Sequence, residues 1–92
     1  MTDDIAAQVL MAQADAVKRG ALVIWTVYNR PKDHPHGFIA RRFEVNALGP
    51  PSPMADTVTG DLDEIRLIVY RAGLTRLPRQ HDDEPQVVES WI

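Results

Sequence analysis

The chain contains one stretch, residues 21–28, that is apolar at nearly every position. In a pleated strand its side chains alternate, so that Leu22 and Ile24 lie on one face while Val23 and Trp25 lie on the other. β-Branched and aromatic residues of this kind favour strands, and a strand that is apolar on both faces is typical of a sheet interior. We therefore predict that residues 21–28 form the central strand of the domain.

Two segments have apolar residues at the three- and four-residue spacing of an amphipathic helix. The first is 3–19, with the stripe Ile5, Ala6, Val9, Leu10, Ala12 and Val17. The second is 62–72, with the stripe Leu62, Ile65, Ile68, Val69 and Ala72. Gly20 and Gly73 follow these segments as left-handed C-caps, and Asp61 with Glu64 matches a capping box. Both segments are predicted to be helices.

Two further stretches, 38–45 and 86–92, are predicted to be strands. The first has a mixed face that carries Arg42 and Glu44, which is typical of an edge strand with one side in water. Residues 48–53 contain three prolines and a glycine, which predicts an irregular, extended connection. Residues 74–79 are read as a loop, with a short edge pairing as the alternative.

The resulting order, α-β-β-α-β, predicts an α+β fold of two layers. Antiparallel pairing of the first two strands and a right-handed crossover through the second helix give a three-stranded antiparallel sheet of order 2-1-3 with two helices on one face. The length of 92 residues fits a single domain, 1–92. The helix within 1–20 can be an addition to a 21–92 core, and Met11 is an alternative start to Met1.

Composition and charge exclude several classes of function. The chain has no cysteine, which removes disulfides, thiolate catalysis and zinc fingers. Its net charge of −3 has the wrong sign for a duplex-DNA binder. No apolar run approaches the ~20 residues of a membrane span, and the acidic N-terminus lacks secretory features, so we expect a cytoplasmic protein. Since no catalytic or phosphate-binding motif is present, neither an enzymatic activity nor a cofactor is predicted.

One rim of the predicted sheet concentrates polar side chains, because the order 2-1-3 makes the loops 29–37 and 79–85 neighbours. The candidate patch consists of Arg30, Lys32, Asp33, His34, His36, His81, Asp82 and Asp83. Three histidines with a carboxylate suit zinc, so His34, His36 and His81 are candidate metal ligands. The favoured interpretation is simpler: local turns and ion pairs between the two loops, which form a polar latch.

Two other surfaces are candidates for binding. The central strand is apolar on both faces and two short helices can cover only one, which predicts self-association or a protein partner. The alternative is that residues 50–54 and the C-terminal loop fold over the other face. Arg41 and Arg42 near aromatic residues suggest a single-stranded nucleic-acid surface as a further alternative. Adjacent strand residues point to opposite faces, so we do not favour nucleic acid.

Two strings in the sequence carry a resemblance. Residues 28–42 fit Y-x-x-P-x-D-x-P-x-x-F-x-A-R-R, and residues 82–91 fit D-D-x-P-x-V-V-E-x-W. In these strings the chain, from about Leu22 to the C-terminus, resembles a group of short uncharacterised bacterial proteins. The resemblance implies a bacterial, cytoplasmic origin and assigns no catalytic residue. The sequence thus predicts a non-catalytic, self-associating or protein-interaction module, with a metal- or small-ligand-binding domain as the alternative.

Overall fold

The structure, a computed structural model, describes residues 2–29, 37–46 and 49–92 and contains two helices and five strands within them. In chain order the elements are α1 (Thr2–Lys18), β1 (Leu22–Asn29), β2 (Phe38–Val45), β3 (Ser52–Gly60), α2 (Leu62–Arg71), β4 (Arg76–Pro78) and β5 (Val87–Trp91). Neither helix in this part of the chain is long and apolar enough to cross a membrane.

The strands form one antiparallel sheet of order β3-β2-β1-β5-β4. The α+β class is therefore confirmed, but the predicted three-stranded sheet is wrong, because the sheet has five strands. The three predicted strands lie in its middle in the expected order, β2-β1-β5, with β1 at the centre. The two extra strands extend the sheet at its two edges.

Strand β3 begins at Ser52, within the last two residues of the segment 48–53 that was predicted to be an irregular connection. Pro53 lies within it and pairs with Phe43 of β2. A proline fits this position because an edge strand has no ladder partner on its outer side, so that the missing N–H breaks no sheet hydrogen bond. Beyond it, Thr57 and Val58 favour extended backbone. Strand β2 is consequently internal to the sheet, and the prediction that it is an edge strand is wrong.

Strand β4 is the short edge pairing that the sequence left as an alternative to a loop at 74–79. Its Arg76 and Pro78 pair with Trp91 and Glu89 of β5. Backbone hydrogen bonds between Thr75 and Ile92, at 2.7 and 2.9 Å, continue the pairing by one step. The edge strand β4 is thus held by its pairing with residues 89–92.

The helices begin and end close to where the sequence predicts. The helix α1 ends before Gly20, which has a φ of +76°, and α2 ends before Gly73, with a φ of +84°. The side chain of Asp61 accepts a hydrogen bond from the N–H of Glu64 at 2.9 Å, as expected for an N-cap. Both helix ends that carry glycine therefore use the left-handed conformation that glycine permits.

The core lies between the helices and one face of the sheet. Its centre is β1, from which Val23, Trp25 and Val27 are buried. The helix α1 contributes Ala6, Val9 and Ala16, and α2 contributes Ile65, Ile68, Val69 and Ala72. In α1 the apolar stripe is narrower than predicted, since Leu10 and Val17 remain 52% and 67% exposed. Both helices cover the same face of the sheet, as predicted.

Strand β5 contains a β-bulge where it pairs with β1. Val27 pairs with Glu89 and Tyr28 pairs with Val87, so Val88 has no partner in β1. Because one extra residue is inserted, Val88 packs against the core while Glu89 is also buried on the helix side. Val87 then lies beside Tyr28 on the opposite face.

Candidate interaction site on the open sheet face

The face of the sheet that lies opposite the two helices is called the open face here. Alternation along the two central strands assigns side chains to it, because their neighbours in the sequence lie in the core. From β1 the open face receives Leu22, Ile24, Thr26 and Tyr28, and from β2 it receives Ile39, Arg41, Phe43 and Val45. Most of these side chains are half-buried, and Leu22 is exposed.

The apolar character of the open face continues across β5 and β4. Thr26 pairs with Ser90, and Ser90 pairs with Leu77, so the three lie in one row across the sheet. Leu22, Leu77 and Ile92 are 51%, 38% and 37% exposed. Large apolar side chains with this exposure, contiguous with half-buried ones, form a patch rather than isolated surface residues.

A shallow depression of about 400 Å³ lies in the middle of the open face. Its floor is apolar, from Ile24, Phe43 and Val87, and the hydroxyls of Thr26 and Ser90 lie 3.5 Å apart within it. Asp82, Asp83, Glu84 and Pro51 form the margin. The alternative that residues 50–54 and the C-terminal loop fold over this face is met only at the margin, where Pro51 and the acidic loop line the depression, because Ser52–Gly60 form edge strand β3.

The bases of the two loops that carry the predicted polar patch lie at one rim. The N–H of Asn29, at the end of β1, donates to the carbonyl of Gln86, just before β5, at 2.8 Å. Five members of the patch, Arg30, Lys32, Asp33, His34 and His36, lie outside the described residues. Their part in a latch or a metal site stays a prediction.

The described members of the predicted patch lie in the loop before β5. His81 and Asp82 are exposed, and Asp83 is half-buried. Asp83 holds a local turn, since its carboxylate accepts the N–H of Gln80 at 2.8 Å and its carbonyl accepts Arg79 Nη2 at 2.9 Å. Within the described part of the chain, no group of three or more histidine or carboxylate side chains could hold a metal ion.

Tyr28 joins the open face to the acidic loop. Burial raises the pKa of its phenol, and the negative charges of Glu84 and Asp83 raise it further against the opposing effect of Arg41. The phenol therefore stays protonated at neutral pH and can donate a hydrogen bond. It lies between a cationic and an anionic group on the same surface.

Arg41 and Arg42 lie on opposite faces of β2, so they do not form a single basic surface. Arg42 is on the helix side with only 12% of its side chain exposed, and it bonds Glu44 at 2.7 Å and Asp56 at 3.1 Å. Arg19 binds the same Glu44 through both guanidinium Nη atoms, at 2.8 and 2.9 Å. The face of β2 predicted to be wet is thus a buried ion-pair network, and the Arg19 hydrogen bonds lower the pKa of Glu44.

The sequence did not predict a role for Glu89, whose side chain is fully buried. Its carboxylate accepts hydrogen bonds from Arg66 at 2.7 and 3.1 Å, from Arg76 at 2.9 Å and from the indole N–H of Trp91 at 2.8 Å. Burial raises the pKa of Glu89, but these donors outweigh it and lower the pKa to about 2. The group joins α2, β4 and β5, which indicates a structural anchor.

One signal could have identified this anchor. Glu89 and Trp91 are two residues apart in a strand, so they share a face, and the large apolar side chain of Trp91 favours the core for that face. A glutamate on a core face requires a cationic partner, and Arg66 and Arg76 belong to the two elements that precede β5.

Comparison with known proteins adds no further assignment. No protein-family model, no curated protein and no solved structure matches the chain. The bacterial and cytoplasmic origin that the two strings imply therefore stays a prediction.

Proposed function

We propose that this protein is a non-catalytic interaction module that pairs with a second copy of itself through the open face of its sheet. The observation that carries the proposal is the apolar character of a face that neither helix covers. Leu22, Leu77 and Ile92 are exposed there beside half-buried Ile24 and Phe43. Burying such side chains against a partner removes apolar surface from water, which favours association.

The size of the open face can be compared with that of known interfaces. Strands about 4.8 Å apart and about 3.3 Å long per residue give five strands of this kind a flat area of roughly 500 Å² before side-chain relief is added. Stable complexes bury about 800 Å² on each partner. A stable dimer would therefore bury the margin of the open face, with Pro51 and the acidic loop, as well as the sheet itself.

The charges on the open face favour an identical partner. Arg41 lies on β2, and the acidic residues Asp82 and Glu84 lie at the margin of the depression near β5. In a two-fold interface each contact occurs twice, so a basic group of one copy can meet an acidic group of the other, and the reverse. A face that carries both signs at separate positions is suited to this arrangement.

Sedimentation velocity over a wide range of protein concentration tests the proposal. We expect the chain to sediment as a species of twice the 10.3 kDa of a single copy. The variant Ile24→Arg places a charge at the centre of the open face and should be monomeric. Leu10→Arg is the matched control, because Leu10 is an exposed apolar residue on α1 and its charge should leave the dimer intact.

Far-ultraviolet circular dichroism establishes that both variants are folded. A wild-type chain that remains monomeric at the highest concentration would refute the proposal. So would equal dissociation by the two arginine variants, since that result would not single out the open face. Dissociation by Leu10→Arg alone would place the interface on the helix layer instead.

A further inference from the structure

A second cavity, on the helix side of the sheet, contains features that the open face does not explain. It has a volume of about 200 Å³ and lies between α1 and edge strand β3. The inner wall is formed by the buried side chains of Val9, Trp25 and Val58, and Ile5 is half-buried beside them. The exposed residues Gln8, Asp56 and Thr57 line the remainder. The cavity is thus apolar inside and polar at its mouth.

The indole N–H of Trp25 is the first unusual feature of this cavity. Trp25 is only 2% exposed, and its Nε1 has no hydrogen-bond partner among the described residues. Trp91, its cross-strand neighbour, has a bonded indole, since its Nε1 donates to Glu89 at 2.8 Å. A buried donor without a partner costs roughly 1–3 kcal/mol, so an acceptor is expected beside Trp25.

A second donor lies next to the first. Arg42 pairs directly with Trp25 across β1 and β2, on the helix side of the sheet, and directly opposite residues have Cβ atoms about 5 Å apart. The two terminal nitrogens of Arg42 bind Glu44 and Asp56, whereas its buried Nε has no partner in the described structure. Arg42 does not line the cavity itself, so the donor that the cavity wall offers is the indole of Trp25.

From this arrangement we infer that the cavity binds a small molecule with a carbonyl or carboxylate oxygen and a short apolar tail. The oxygen accepts a hydrogen bond from the indole of Trp25, and the tail lies against Val9 and Val58. A volume of about 200 Å³ corresponds to roughly six or seven water-sized groups, at about 30 Å³ each. A chain of four carbons with one carbonyl group has this size.

Nuclear magnetic resonance of the ¹⁵N-labelled indoles tests the inference on the intact chain. Butyramide and butyrate are the probes, because they have one shape and differ in charge, and butylamine is the control that has no acceptor oxygen. We expect the indole signal of Trp25 to shift along a saturable curve, with weak affinity because a ligand of this size makes few contacts. The signal of Trp91 should not move. A response to butyramide alone or butyrate alone identifies the neutral or the charged oxygen as the ligand.

Two variants locate the binding site. Val58→Phe fills the cavity from β3 and should weaken binding by about tenfold or more, which corresponds to about 1.4 kcal/mol. The Trp91 signal reports whether Val58→Phe is folded. If it is not, Ile5→Phe replaces it, because this substitution narrows the cavity from its half-buried side on α1. Binding that survives both substitutions would overturn the inference. The inference would also be overturned if the Trp25 indole exchanges magnetisation only with an ordered water and its signal shifts with no probe. An equal shift of that signal with butylamine would overturn it as well.

Discussion

The buried carboxylate of Glu89 should contribute a large part of the stability of this fold. We consider Glu89→Gln, which keeps the shape of the side chain and removes its charge. The pKa of this carboxyl is 4.5 for an ordinary glutamate and about 2 in the folded protein. Since each pKa unit corresponds to about 1.4 kcal/mol, the folded state gains about 3 kcal/mol from the ionised form. This value is at the low end of the 3–5 kcal/mol typical of breaking a buried ion pair, as expected when the partners Arg66 and Arg76 are partly exposed.

The sign of the pH dependence follows from the direction of the shift. A carboxylate whose pKa is lowered by folding stabilises the folded state above its unfolded pKa, and that contribution is lost as the pH falls towards the folded pKa. For Glu89 the window runs from 4.5 down to about 2. The difference between wild type and Glu89→Gln should therefore be about 3 kcal/mol at neutral pH and only about 1 kcal/mol near pH 3.

Urea denaturation followed by tryptophan fluorescence measures this difference at the two pH values. Asp4→Asn is the control, because it removes the charge of an exposed carboxylate outside the open face and should alter the free energy of unfolding by less than about 1 kcal/mol. A loss below about 1 kcal/mol for Glu89→Gln at neutral pH would contradict the reasoning. A loss of equal size at both pH values would show that packing, rather than charge, is responsible.

Three further predictions concern local features. Asp61→Ala removes the N-cap of α2 and should lower the free energy of unfolding by about 1 kcal/mol, whereas Asp63→Ala in the same turn should cost less. Gly20→Ala should cost about 1 kcal/mol in denaturant titrations, because its φ is +76°, while Gly49→Ala, with no positive φ and open space around it, should not. A large excess of zinc should leave the melting temperature unchanged if the histidine loops form a polar latch, and a rise would establish a metal site.

The parts of the fold that the sequence predicted are those with local causes. Helix limits follow from apolar spacing and from Gly20 and Gly73, and the central place of β1 follows from its two apolar faces. The two edge strands, β3 and β4, were harder to predict from the sequence. Pro53 argues against a strand in isolation, and only the knowledge that β3 has a free outer side makes it acceptable. That knowledge belongs to the sheet rather than to the segment.

The site residues depend even more on distant neighbours. Arg42 and Glu44 looked like a wet strand face because charged residues usually lie in water. They are buried because Arg19 and Asp56, from separate elements, neutralise them there. The depression on the open face likewise combines β1, β2, β5 and the acidic loop, and no single window of sequence contains those groups.

The unpaired Val88 has a consequence for how this chain can change length. Deleting that one residue would leave Val87 and Glu89 on the faces they occupy now, at the cost of the contact that Val88 makes with the core. Deleting Ser90 instead would shift the register by one and place Glu89 on the open face. Position 88 is therefore where β5 can lose a residue and keep both the buried carboxylate of Glu89 and the apolar residues of the open face.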